Sequence, residues 1–515
     1  MATNEIVMQN AFSNLQYTWL AAGILILVAA IVLHVRNKTA WSVACLTLGA
    51  FVLRLLMTST DPFLYDWDEQ YHALVAKNLA EHPGTPMLYN TPVLPVDITR
   101  WAHNHIWLHK PPLFLWLIAL SVKIFGTTPL AVKLPSIILS SLMVPAAYGL
   151  GKRIAGERTG WIAALLLAAH SYSVQLVSGF RNTDHNDVIF SAFVLFSFWA
   201  WIKYTDNKRR RDAVLVGLLV GCAILVKWLP GLLVYLPWGI WMLSAKNRKN
   251  KTLWIHLAMA VVATLVLVVP WHIRTFAYFP AEAAYEMHYN MLHWSFAMEG
   301  HEGPWYYHFD AIRELMGWVA AILAVPGLFF LAVNNINDKR PLYIVVAVLF
   351  FFAFYTLAET KMPLFMLPLI PFLLLGIAVM LARVTEPVVR KKTVFALIAI
   401  VLCVFFLDPQ SIITNHSSRS ELAWYRDQMK RDRQRSAWIQ QHLGEGKWVV
   451  FNYPENSRAS HMFYSGQIAY TEIPDSAERK AISEKGFDVA IIRGGDSLPE
   501  IPAYARMIIL PDSLK

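Results

Sequence analysis

Apolar residues in this chain come in long unbroken runs, not in the alternation or narrow stripes of a soluble fold. A spanning helix needs about 20 mostly apolar residues. Runs that meet or approach this length begin near Tyr17, Trp41, Leu130, Gly160, Asp187, Ala213, Gly231, Leu253, Ile312, Leu342, Pro363 and Val394. A thirteenth run, 111–125, is shorter and opens on two prolines, so it either crosses or lies along the interface as a juxtamembrane helix. After Asp408 the pattern changes. Residues 422–443 read as a polar, charged helix, and 448–452, 468–473, 487–493 and 507–510 as short strands, with a helical stretch at 475–485. The expected fold is an α-helical polytopic membrane protein over residues 1–408, with about 12–13 transmembrane helices plus juxtamembrane helices, and a small soluble α/β domain over 409–515.

Charge sets the orientation. With 111–125 lying along the membrane, the basic loops 34–38, 152–158, 203–211, 246–251, 339–340 and 383–392 all fall on one side, the cytoplasmic side by the positive-inside rule. If 111–125 crosses, the loops before and after it separate. The one-sided reading gives twelve spans, both termini outside, and large outer segments at 58–125 and 276–311. Apolar residues make up 56% of the 515, and charged residues only 16%, more apolar surface than one soluble core conceals. The net charge of +10 lies between apolar runs, so it reads as topogenic and not as a nucleic-acid footprint. Cys45, Cys222 and Cys403 sit inside apolar runs, as embedded thiols. The first run follows a polar segment without a small-residue cleavage site, so it is expected to stay in the mature protein.

The candidate chemistry falls on the outer side. Asp66-Trp67-Asp68-Glu69-Gln70-Tyr71 offers carboxylates that anchor a metal, act as a general base or solvate a helix N-terminus. His103, His105 and His109 lead into Lys110-Pro111-Pro112, a set suited to zinc, to a phosphate, or to an interfacial belt. The turn from Arg181 to Asp187 includes Asp184, and Lys227 and Lys361 stand at outer ends of runs, as snorkelling anchors or as parts of an anion site. The second outer segment adds Glu286, His288 and the aromatic stretch Pro304-Trp305-Tyr306-Tyr307.

With these residues in view the chain resembles the C-type (GT-C) membrane glycosyltransferases, in the bacterial branch of lipid A aminoarabinose transferases and relatives of protein O-mannosyltransferases. The resemblance spans residues 54–381. It rests on Asp68-Glu69 with Tyr71, His109-Lys110-Pro111-Pro112-Leu113 with Trp116, Phe125-Gly126, Lys133-Leu134-Pro135-Ser136, Thr183-Asp184, the Lys227 turn, Pro304-Trp305-Tyr306-Tyr307, and Lys361-Met362-Pro363 with Leu367-Pro368. It implies inverting transfer of a sugar from a polyprenyl-phosphate donor to a lipid or protein acceptor at the outer face of a bacterial inner membrane. Asp68 and Glu69 would be catalytic, with Asp68 as the base. Lys110 would hold the donor phosphate, with Arg181, Lys227 and Lys361 as further contacts, and Asp184 and Tyr71 would position substrate. A divalent metal (zinc, magnesium or manganese) would sit on His109 and His288, although the family often has Glu where this chain has His109. Phe365 and Met287 also replace residues common in the family, Tyr and Glu respectively, and two spans precede the Asp-Glu loop instead of one.

The alternatives are a transporter or flippase of lipid-linked sugars and a non-catalytic scaffold. Transporters place ionisable groups near the midplane and often carry inverted repeats. This chain keeps its charges at one rim and shows no internal repeat.

Overall fold

A computed structural model describes residues 12–179, 185–335, 337–386, 391–417, 420, 422–493 and 505–514. Eight of its helices are long and apolar enough to cross a membrane: Asn14–Val35, Thr39–Thr60, Pro129–Ala155, His185–Asn207, Lys251–Tyr278, Arg340–Leu357, Pro363–Val384 and Lys392–Asn415. A ninth span results if Tyr307–Met316 and Trp318–Ala332, which meet at 110°, are taken together. The protein is thus a multi-pass membrane protein. Three of the twelve expected runs fall short of this standard. Glu157–Ala168 has only 12 residues, Leu229–Val234 is a 3₁₀ turn leading into the short helix Tyr235–Leu243, and Arg210–Lys227 carries Arg210, Arg211, Asp212 and Lys227 at its ends. The run at 111–125 forms the helix Leu113–Phe125, 13 residues long. At 1.5 Å per residue it measures about 20 Å, short of the roughly 30 Å hydrocarbon core.

Between helices in lipid there is little hydrophobic drive to associate, so close packing depends on small residues. A Cβ on Gly217 would lie 2.0 Å from the Ala260 carbonyl oxygen, and one on Gly327 would lie 2.7 Å from the Ile377 nitrogen. These glycines let Arg210–Lys227 lie on Lys251–Tyr278, and Trp318–Ala332 on Ile370–Val384, backbone to backbone.

Contacts separate the two ends of the bundle. At one end Thr39 donates to Glu157, Lys152 pairs with Glu157, and Arg153 and Arg340 share Asp206. Arg158 reaches Thr385, and Asn334 donates to the Ile154 carbonyl while accepting from Arg383 at its own. Four of the six basic loops are joined in this way, and Thr39 lies one residue beyond a fifth. The described candidate residues all gather at the other end.

The tail carries a four-stranded, all-parallel sheet of order β2-β1-β3-β4, made of Trp448–Phe451 (β1), Ile468–Ala469 (β2), Asp488–Ile492 (β3) and Arg506–Ile508 (β4). The helices Ala423–Leu443 and Ser476–Glu484 match the expected segments within a residue. The helix Glu455–Ser465 is one that the apolar pattern does not reveal, because its buried face includes Ser457, Arg458, Ser460 and His461. It packs on Asp68–Glu81. Lys77 donates to the Met462 and Phe463 carbonyls at its C-terminal end, where helix carbonyls lack partners. The Leu64 and Val93 amides donate to the Tyr464 and Tyr470 hydroxyls, and Tyr89 stacks on Tyr470. The tail and the first long loop therefore form one packed unit.

Candidate active site

Asp68 opens the helix Asp68–Glu81, preceded by Trp67 at φ 55°, ψ −123°. A tryptophan at positive φ is strained, and such strain persists only where surroundings enforce it. Asp68 is half-buried at the first turn, next to amides with no intrahelical partner. Its neighbour Glu69 is only 2% exposed. The Glu69 carboxylate accepts from His185 Nε2 (2.7 Å) and from the Tyr65 amide (2.7 Å), with Lys133 Nζ at 3.7 Å. Burial alone would raise its pKa, but Lys133, His185 and the Tyr65 amide outweigh burial and hold it below the ordinary glutamate value. Lys133, itself buried, donates to the carbonyls of Asp61, Phe63 and Ser178 at 2.7–2.9 Å. Glu69 thus sits inside a buried ionic cluster with Lys133 and His185. Lys133 and His185 are its partners; the Lys133-Leu134-Pro135-Ser136 motif marks the first in the sequence, and the turn from Arg181 to Asp187 contains the second.

Asp61 and Asp66, at the entrance to this loop, bind the tail. Asp61 pairs with Arg426 (2.6 Å) and His416 (3.3 Å), and Asp66 accepts from the Tyr425 hydroxyl. Burial, then the nearby Asp432, pushes the Asp66 carboxyl up to about 6. A raised native value means that the stabilising contribution of the protonated group is complete below pH 3.8 and is lost as pH rises through about 6. Asp66→Asn is therefore expected to stabilise the protein at pH 7.5, on the order of 1–2 kcal/mol, and to give no gain at pH 4. Thermal unfolding at the two pH values checks this.

A cavity of about 330 Å³ is walled by Trp67, which directly precedes Asp68, and by Trp101, His103, His109, Tyr289 and Glu299 among others. His109 stacks on Trp101 (5.1 Å, 12°) and places Nδ1 3.4 Å from Glu286 Oε2. His288, the partner the resemblance implies for His109, faces elsewhere. On the helix Pro280–Ser295, residues 286 and 288 are about 200° apart, and His288 is exposed while Glu286 is buried. Lys110 acts electrostatically on Glu299 and His293. Glu299 also accepts from Tyr289 (2.8 Å) and from the Trp101 indole (3.1 Å).

The remaining candidates take other places. Lys227 forms an ion pair with Asp187 and stands 4.7 Å over the Phe365 ring. Lys361 is buried and donates to the Ala358 (2.6 Å) and Thr356 (3.1 Å) carbonyls, capping the helix Arg340–Leu357. Tyr71 is buried, accepting from Arg458 (3.3 Å) and packed edge-on against Trp101. Arg181 and Asp184 lie outside the described residues. One end of the molecule therefore presents a half-buried carboxylate, a cation and an aromatic-walled cavity together.

Several known proteins resemble this chain in sequence or in fold. Residues 109–273 match the family model described as dolichyl-phosphate-mannose-protein mannosyltransferase. The undecaprenyl phosphate-alpha-4-amino-4-deoxy-L-arabinose arabinosyl transferase of Pseudomonas aeruginosa (strain UCBPP-PA14) is 27% identical over 296 residues, 53% of this chain and 51% of that protein. The chain thus spans about half the length of the curated relatives it matches. The structure of ArnT from Cupriavidus metallidurans bound to undecaprenyl phosphate superposes with a TM-score of 0.62 at 16% identity, covering 87% of this chain and 88% of that one. The archaeal oligosaccharyltransferase AglB from Archaeoglobus fulgidus, in complex with an inhibitory peptide and a dolichol-phosphate, gives 0.54 at 11% identity, covering 88% and 69%. The chain has the fold of the C-type membrane glycosyltransferases and, in sequence, resembles their aminoarabinose-transferase branch.

Proposed function

We propose that the protein is an inverting glycosyltransferase that moves one sugar from a polyprenyl-phosphate donor to a lipid or protein acceptor at the outer face of a bacterial inner membrane. The observation that carries this reading is the cavity at the bundle end opposite the basic loops, whose walls include Trp67 and His109, the residues that directly precede Asp68 and Lys110 in the chain. The names of the relatives support a polyprenyl-linked donor, and the basic loops support a cytoplasmic opposite face.

In this scheme the Asp68 carboxylate takes the proton of the acceptor hydroxyl as its oxygen attacks the anomeric carbon. The bond from that carbon to the phosphate oxygen breaks, and its electron pair leaves on the lipid phosphate. Attack from the face opposite the leaving group inverts the centre. Lys110 offsets the charge that grows on the phosphate, where fixed cations act most strongly out of bulk water.

The donor set also fits a divalent cation. His109 Nδ1 and Glu286 Oε2 face each other at 3.4 Å, and Glu286 Oε1 is buried with no hydrogen-bond partner among the described residues. No group of three protein ligands occurs among the described residues, so a cation there would complete its shell with substrate or water oxygens. Such a cation would supply further charge neutralisation. Metal analysis of the dialysed protein is expected to show bound divalent metal that His109→Ala and Glu286→Gln both lose. Equal metal content in the variants would remove it from the site.

The function is tested by comparing lipid extracts and envelope proteins of a deletion strain with its parent. A glycosylated lipid or protein should disappear and return with the wild-type chain, but not with Asp68→Asn. An unchanged extract and protein profile would contradict the reading.

A further inference from the structure

The tail domain reaches the cavity with one acidic side chain. Glu455, the first residue of the helix Glu455–Ser465, lines the cavity together with Trp67, Trp101 and His103. Its Oε1 lies 3.3 Å from His103 Nε2 and 3.9 Å from Arg100 Nη2, and neither contact uses Oε2.

His103 is fixed in turn. Arg458, one turn further along the same tail helix and fully buried, places Nη1 3.5 Å from His103 Nδ1 and donates from Nη2 to the Ala102 carbonyl (2.6 Å) and the Tyr71 hydroxyl (3.3 Å). His103 Nδ1 also lies 3.7 Å from Glu472 Oε1, so the ring is held between two tail carboxylates and the Arg458 guanidinium. The tail thus holds the Trp101–His103 segment from behind with an arginine and extends a carboxylate past it into the cavity.

The composition of the walls selects the occupant. Glu286, Glu299 and Glu455 all face this space and offer carboxylate acceptors to a hydroxylated ligand, with Arg100 the one guanidinium among its described walls and Lys110 outside them. A sugar ring suits it, with hydroxyl or amino donors for the carboxylates and apolar ring edges for Trp67 and Trp101.

We infer that Glu455 is a substrate-contacting residue, whose carboxylate accepts a hydrogen bond from a hydroxyl or amino group of the donor sugar, with His103 and Arg458 as its positioning residues. This inference rests on the glycosyltransferase reading and extends it by making the tail domain part of the sugar site.

The test uses the purified full-length protein with two probes, undecaprenyl-phosphate-linked 4-amino-4-deoxyarabinose and undecaprenyl-phosphate-linked mannose, and undecaprenyl phosphate as inhibitor. Hydrogen bonds to a charged group correspond to roughly tenfold or more in affinity. Glu455→Ala should raise KM for the donor that the wild type uses about tenfold, leaving kcat and the inhibition constant of undecaprenyl phosphate within about twofold. Arg458→Lys and His103→Ala should shift KM in the same direction. Glu455 is 44% exposed, so its replacement leaves the fold intact, as the melting temperature would show. An active wild type with an unchanged KM in Glu455→Ala overturns this inference and leaves the function standing. A parallel rise in the inhibition constant for undecaprenyl phosphate also overturns it, because the contact would not be with the sugar. A wild type that turns over neither donor overturns both.

Discussion

Asp68→Asn is expected to lower the rate of sugar transfer by about 10²–10⁴-fold, the usual weight of a general base, while the protein stays folded. The change is isosteric and falls on a half-buried residue at the start of a helix, with no ion pair among its described contacts. No hydrogen bond or ion pair of the Asp68 side chain is among the described contacts that hold the helix, so the melting temperature should stay close to the wild type. The loss should appear in kcat, since the amide keeps the size and polarity of the carboxylate but cannot take the acceptor's proton. A rate within tenfold of the wild type would remove Asp68 from the chemistry.

Glu69→Ala is expected to do the opposite, lowering stability first and activity only as a consequence. The substitution leaves the buried Lys133 ammonium without its carboxylate and breaks the bond that ties the first loop to His185. Removing one partner of a buried ion pair typically costs about 3–5 kcal/mol. Detergent-solubilised variant should therefore show a marked fall in melting temperature and in monodisperse yield. Glu69→Gln keeps hydrogen-bonding capacity toward the Tyr65 amide and should lose less. If Glu69→Ala melts with the wild type yet fails to transfer sugar, Glu69 belongs with Asp68 in the chemistry.

Adjacent residues on a helix point about 100° apart, so one of the Asp68–Glu69 pair had to turn inward. The sequence alone does not say which, because nearly every position from Glu69 to Ala76 is buried and the helix has no polar stripe to read. Much else was legible. Long apolar runs marked the spans, alternation marked the tail strands within a few residues, and loop charge marked the end of the bundle where four basic loops meet. What sequence could not offer was partnership across distance. His103 and Glu455 are separated by 352 positions, and Asp61 and Arg426 by 365. No local period or spacing encodes such pairs. The His109–Glu286 contact is hidden for a related reason: the family resemblance points to His288, while the helix phase turns Glu286 inward.

The central claim is that this chain transfers sugar from a polyprenyl-phosphate donor with Asp68 as its base. The most direct measurement is transfer of radiolabelled sugar from undecaprenyl-phosphate-linked 4-amino-4-deoxyarabinose or mannose by the purified protein in proteoliposomes containing extracted bacterial envelope lipid and protein. The account predicts label in an acceptor product with the wild type and none above background with Asp68→Asn. Equal labelling by the two proteins, or none by the wild type with either donor, would contradict it.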